Sequence, residues 1–159
     1  YAYWGSIDML PAVVDRLTPI CMQIIERFEV NVRPIDKTRF RQDVEAVLSV
    51  YNRAMSNTWG FVPMTEDEVR HQAKGLKQLI VPDLSIAAEI DGKIIGACFA
   101  LLDYNPRIKE IDGRLFPFGF WKLLNNKRAI KKLRLISTNV IPEYQLHGIG
   151  LVLMSGIVP

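Results

Sequence analysis

The chain has 159 residues, 49% of them apolar and 23% charged, enough for one ordinary domain to bury a core without disulfides or a structural metal. No apolar run approaches the roughly 18 residues that a membrane span needs, so a membrane protein is not expected. Twenty Lys and Arg against 17 Asp and Glu leave a surplus of +3, too small to imply a nucleic-acid partner.

In chain order, residues 8 to 28 place Met9, Val13, Leu17, Ile20, Ile24 and Phe28 mostly three or four apart, which predicts a helix. Pro19 should kink or divide it. Residues 29 to 36 alternate Val30, Val32 and Pro34 and predict a short edge-lying strand. From Thr38 the spacing of Phe40, Val44, Val47, Leu48, Tyr51 and Met55 predicts a second helix, ending near residues 57 to 60. Thr65 and Glu68, just after Pro63, form a capping-box pattern that should start a third helix running to about Leu79. Pro82 and Asp83 then break the chain. Two apolar segments at residues 84 to 90 and 93 to 102 flank Asp91-Gly92, a pair suited to positive φ, and predict a β-hairpin. Residues 103 to 130 are less regular, with a short helix expected at 118 to 125. Residues 133 to 141 read as a further strand that Pro142 ends. This mixture of antiparallel hairpins and helices predicts an α+β or mixed α/β domain on a largely antiparallel sheet.

Cys21 (in Pro-Ile-Cys-Met) and Cys98 (in Gly-Ala-Cys-Phe) lie in apolar surroundings and read as buried free thiols, which fits a reducing cytoplasm. The chain opens on Tyr1-Ala2-Tyr3-Trp4, with neither an initiator Met nor a secretory signal, and stops inside an apolar helical pattern. It is therefore expected to belong to a longer protein with a preceding domain.

After the last strand comes Gln145-Leu146-His147-Gly148-Ile149-Gly150, leading directly into an apolar helix. The first N–H groups of a helix lack internal acceptors and lie at the positive end of its dipole, so an anion satisfies both. Gly148 and Gly150 carry no Cβ, which lets a diphosphate approach the main chain. By itself the pattern is a weak signal, and a plain glycine-rich connection is the competing reading. Its place between a strand and a helix is what gives it weight.

With Gln145, Gly148 and Gly150 standing as Gln/Arg-x-x-Gly-x-Gly/Ala after Val140-Ile141-Pro142, the chain resembles the GNAT superfamily of N-acetyltransferases. The order of elements from about residue 29 is also similar to that fold. Over residues 51 to 65 and 113 to 119 the chain is further similar to longer bacterial acetyltransferase-like proteins, in which such a domain forms the C-terminal part. The resemblance implies a helical lead-in or interdomain linker at residues 1–28. It implies an acyl-CoA-binding domain at 29–159, incomplete at its C-terminus, with later strands and a fourth helix beyond Pro159. Residues 103 to 130 are longer than the usual link between third and fourth strands.

The implied cofactor is acetyl-CoA, as co-substrate, and the implied partner is an amine acceptor, a small molecule or a protein, that attacks the thioester directly. A non-catalytic scaffold of the same fold is the alternative, and a homodimer stays open. The resemblance assigns oxyanion and pantetheine contacts to the backbone around Thr138, Asn139 and Val140. It assigns diphosphate contacts to Gln145, Leu146, His147, Gly148, Ile149 and Gly150. No catalytic residue is named. His147 sits within the turn, and Glu89 and Glu143 are carboxylate candidates whose plainer reading is a solvated charge. The basic residues Lys122, Lys127, Arg128, Lys131, Lys132 and Arg134 read as a charged face, or as a site for the coenzyme's 3′-phosphate or an acidic partner. Tyr51, Trp59 and Phe61 read as core and loop packing. Phe116, Phe118, Phe120 and Trp121 instead read as the wall of an acceptor site or an interdomain contact.

Overall fold

A computed structural model describes residues 10–36, 38–76, 84–125, 130 and 132–157. In chain order these form α1 (Leu10–Phe28), β1 (Asn31–Pro34), α2 (Phe40–Ala54), α3 (Glu66–Leu76), β2 (Ser85–Ile90) and β3 (Lys93–Leu102). They continue with α4 (Asn105–Glu110), α5 (Gly119–Leu124), β4 (Leu133–Val140) and α6 (Ile149–Ser155). The strands make one antiparallel sheet in the order β1-β2-β3-β4. The expected α+β class with an antiparallel sheet is thus observed.

The hairpin turns on Asp91 (φ 51°) and Gly92 (φ 71°), both in the left-handed region, which suits the twist of a two-residue connection. Alternation along the strands divides the core between the two faces. Ile86, Ala88 and Cys98 join Ile149 and Leu153 of α6, with Ile24 and Phe28 of α1 packed against them. Ala87 and Ala97 face the opposite way, onto Val44, Val47 and Leu48 of α2 and Ala73 of α3. With helices on both faces, the inner strands carry the near-continuous apolar runs of a sheet shielded from water on both sides. A bulge at the end of the hairpin, where Ala88 pairs with Gly96 but Glu89 with Ile94, lets Ile95 enter the cluster on the α6 side.

Arg33 ties three elements together. Its guanidinium holds Asp43 of α2 at 2.6 and 2.9 Å and Glu89 of β2 at 2.7 and 3.0 Å, while the Asp36 N–H donates to Asp43 at 2.8 Å. Burial would raise the Asp43 carboxyl, but the Arg33 and Asp36 hydrogen bonds and the Arg33 charge outweigh it, and the group lies below the usual carboxylate range.

Several local expectations change. Pro19 does not divide α1: residues 15 to 20 lie on an exposed or half-exposed stretch, so the carbonyl that Pro19 leaves unpaired can face water. β1 is shorter than expected because Glu29 takes φ 51° and Val30 N–H closes the helix end on Ile25, so the strand starts later. α4 was not anticipated. Pro106 reads as a breaker, yet in the first helical turn its missing N–H costs nothing. The capping box forms as expected, with Thr65 N–H donating to Glu68 at 2.8 Å and Glu68 N–H to the Thr65 hydroxyl at 3.3 Å. Tyr51 and Phe61 pack edge to face at 5.5 Å, but Trp59 is 99% exposed and contributes nothing to the core. Met9, the chain from 77 to 83 with its Pro82-Asp83 break, and Lys127, Arg128 and Lys131 lie outside the described residues.

Candidate coenzyme cleft

β4 is an edge strand among the described residues, paired only with β3. Ile141 N–H donates inward to Ile95 at 2.9 Å, so alternation turns the N–H groups of Val140 and Thr138 to the open edge and that of Asn139 toward β3. Past Pro142 the chain makes one tight turn at Pro142–Tyr144, then enters α6 through Leu146 (φ 65°) and Gly148 (φ 80°). The Gln145 amide reaches back to the Val140 carbonyl at 3.0 Å, and Glu143 pairs with Arg53 of α2 at 2.7 Å. Strand end, turn and helix α2 are thereby fixed relative to one another.

Between them lies an open cleft of about 450 Å³, lined by Ala54, Met55, Thr138, Asn139, Val140, Tyr144, Gln145, Leu146, Gly148, Ile149, Gly150 and Leu151. Eight of the nine residues expected from the sequence meet there. His147 does not: its ring stacks at a tilt on Phe28 of α1, 4.9 Å away, and edge-on to Tyr144 at 6.3 Å. Within the turn, Leu151 and Val152 are the first amides to find the helical acceptor, the Gly148 carbonyl at 2.9 and 3.2 Å. The N–H groups of residues 146 to 150 donate to no acceptor among the described residues. Five consecutive unspent donors around two left-handed positions make a concavity suited to anions.

The other candidates are committed elsewhere. Glu89 is half-buried and bound to Arg33 rather than solvated, and Glu143 is paired with Arg53. The Thr138 hydroxyl lies 2.9 Å from Cys98 Sγ, so the strand has mainly its backbone to offer a ligand. Burial pushes the Cys98 thiol up to about 11, so it stays protonated at neutral pH, and both cysteines are free and buried. Tyr144 is the one titratable side chain among the described residues that line the cleft. It, Ala54, Met55 and Leu151 were not among the residues expected there. Tyr144 lies one residue before the motif, whereas the end of α2 reaches the cleft only through tertiary packing.

Among solved structures, the loading GNATL domain of CurA from Lyngbya majuscula matches 80% of this chain and 56% of its own, with a TM-score of 0.50 at 19% identity. The fold is GNAT-like. In sequence, this GNAT-like chain is 37% identical over 118 residues to a protein named bacterial ceramide synthase from Caulobacter vibrioides, covering 73% of the chain and 31% of the relative. It is 31% identical over 156 residues to Protein YghO of Escherichia coli, covering 93% of the chain and 40% of the relative. No protein-family model matches. The chain thus spans well under half the length of the curated relatives it matches. In this GNAT-like arrangement β4, the turn and α6 follow one another as the motif requires, and the cleft opens where they meet. Among the described residues no helix is long and apolar enough to cross a membrane.

Proposed function

We propose that this chain is the acyl-CoA-binding part of an N-acyltransferase, with the diphosphate held by the amides of residues 146 to 150 and the pantetheine arm along the open edge of β4. The observation that carries this reading is the convergence of unspent amides from turn and strand edge on one cleft. In the reaction, a neutral amine attacks the thioester carbonyl, the oxyanion draws on the outward amides of β4, and the coenzyme leaves as thiol. No nucleophile from the protein is required. The relative's name directs the choice of acceptor: a ceramide is a fatty amide of a long-chain amino alcohol, so an amine of that class is the first to test.

The second reading is a GNAT-fold scaffold without turnover. It draws on the cleft's chemistry: Glu89, Glu143 and His147 all face other partners, and only Tyr144 of the described lining carries an acid–base side chain. Two measurements on the full-length protein separate the readings. Calorimetry with acetyl-CoA and a long-chain acyl-CoA should give saturable binding, and no heat with either ends both forms of the coenzyme reading. A thiol-release assay with acyl-CoA and a long-chain amino alcohol should give turnover. Binding without turnover across amine classes favours the scaffold.

A further inference from the structure

Between the end of β3 at Leu102 and the start of β4 at Leu133 lies an excursion from the sheet, described over residues 103 to 125, 130 and 132. The Asp103 N–H donates to the Lys132 carbonyl at 2.9 Å and clips the two ends of this excursion together. Its described residues are bonded to one another. Arg107 donates to the Leu123 carbonyl at 3.1 Å, and Phe120 N–H to the Leu115 carbonyl at 2.7 Å. Gly119 is buried so closely that a Cβ there would lie 1.9 Å from the Arg114 carbonyl oxygen. This frame presents Phe116, Phe118, Phe120 and Trp121 outward, 86, 77, 56 and 71% exposed, around a groove of about 670 Å³. Four large aromatic side chains held in water on an ordered frame call for a partner.

The charge around them indicates which one. In the sequence, residues 103 to 134, the excursion with the first two residues of β4, hold nine Lys and Arg against three Asp and Glu, a net +6, whereas the remainder of the chain nets −3. Lys109, Arg114, Lys122, Lys132 and Arg134 are exposed, and none is paired with a carboxylate among the described residues. Aromatic rings set among unpaired cations suit the interface of an anionic bilayer, where rings settle at headgroup depth and Lys and Arg meet lipid phosphates. A nucleic-acid groove would use flat stacking platforms, but the exposed apolar surface of the excursion and the adjoining strand also includes Ile108, Leu115, Leu135 and Ile136, which do not stack on bases.

We infer that the excursion between β3 and β4 docks the protein peripherally on anionic lipid membranes through Phe116, Phe118, Phe120 and Trp121, with the surrounding Lys and Arg reading the lipid charge. This is docking on the surface and not insertion of a span. It does not depend on the acyltransferase reading.

The test is co-sedimentation of the full-length protein with vesicles of phosphatidylcholine alone or with about 30% phosphatidylglycerol. Binding should require the anionic lipid and weaken by about tenfold between roughly 50 and 300 mM salt, as screening predicts. Phe118→Ser with Trp121→Ser, and separately Lys109→Glu with Arg114→Glu, should each lower vesicle binding by about tenfold. Because these side chains are exposed, the melting temperature and acetyl-CoA binding should not change. Equal binding by wild type and both variants overturns the proposal. So does wild-type protein that ignores anionic vesicles, whether it captures an RNA homopolymer instead or melts earlier on Phe118 and Trp121 substitution, which would mark an interdomain contact.

Discussion

At the scale of single residues, the two glycines of the turn have different physical duties. Gly148 holds φ 80°, and a Cβ there would come within 2.5 Å of Ile24 Cδ1 on α1. Gly148→Ala should therefore cost about 1–2 kcal/mol, part backbone strain and part displacement of Ile24, read as a lower urea midpoint. Gly150 is unstrained and a Cβ would meet only Thr138 Cγ2, at 3.9 Å. Gly150→Ala should leave stability unchanged or raise it by up to about 1 kcal/mol through helix propensity. If the diphosphate approaches the main chain here, the same substitution weakens acetyl-CoA binding, so a full-affinity Gly150→Ala protein counts against the proposed cleft. The pair shows what the sequence disclosed. Gln145, Gly148 and Gly150 marked the turn, but the reason for Gly148 rests partly on Ile24, over a hundred residues away, which no local pattern contains. The orientation of the His147 ring has a similar origin, because it follows Phe28 of α1 and not the motif around it.

Among elements, the junction of β1, α2 and β2 hangs on Arg33, whose hydrogen bonds to Asp43 and Glu89 raise its pKa. The Asp43 side chain is only 7% exposed, so Arg33→Leu strands a buried carboxylate and should cost about 3–5 kcal/mol in urea denaturation at neutral pH. The acid limb has a definite sign. Thr38 side-chain and backbone hydrogen bonds hold Asp36 down at about 2, and Asp43 is lowered as well. Carboxylates depressed in the folded state add stability that is complete above their unfolded pKa of about 4 and is lost as pH falls toward 2. The urea midpoint should fall from about pH 4 to pH 2 in the wild type, and with a shallower slope in Arg33→Leu, where Asp43 has lost its main partner. The hairpin, the capping box and the core-facing helices were legible because each is specified within a few residues. Arg33, Asp43 and Glu89 were not, since nothing in a charge pattern tells a solvated Glu89 from one that pairs across 56 positions. α4 was missed because Pro106 has opposite meanings at the start and in the middle of a helix.

Considered as a whole, the molecule is a sheet covered by helices on both faces, with two open surfaces carried by β4. One is the cleft proposed for the coenzyme at the strand's C-terminal end, and the other is the aromatic excursion that enters at its N-terminal end. The absence of a spanning segment led the sequence reading away from membranes, but a net +6 over residues 103 to 134, the stretch that also carries the exposed rings, is a signal that an 18-residue hydropathy window does not test. The two surfaces have separate supports: the cleft rests on Gln145, Arg53 and α6, and the excursion on its own internal hydrogen bonds and the Asp103–Lys132 clip. Hydrogen exchange on the full-length protein should therefore resolve them. In the free protein, amides of β2 and β3, flanked by strands on both sides, should exchange slowest, and those of residues 146 to 150, which lack acceptors, among the fastest. Acetyl-CoA should slow the 146 to 150 amides and the outward amides of Thr138 and Val140, leaving residues 105 to 124 as they were. Anionic vesicles should do the reverse. Protection of both regions by either addition alone would show that cleft and excursion move as one unit, contrary to the separate hydrogen-bonded supports seen here.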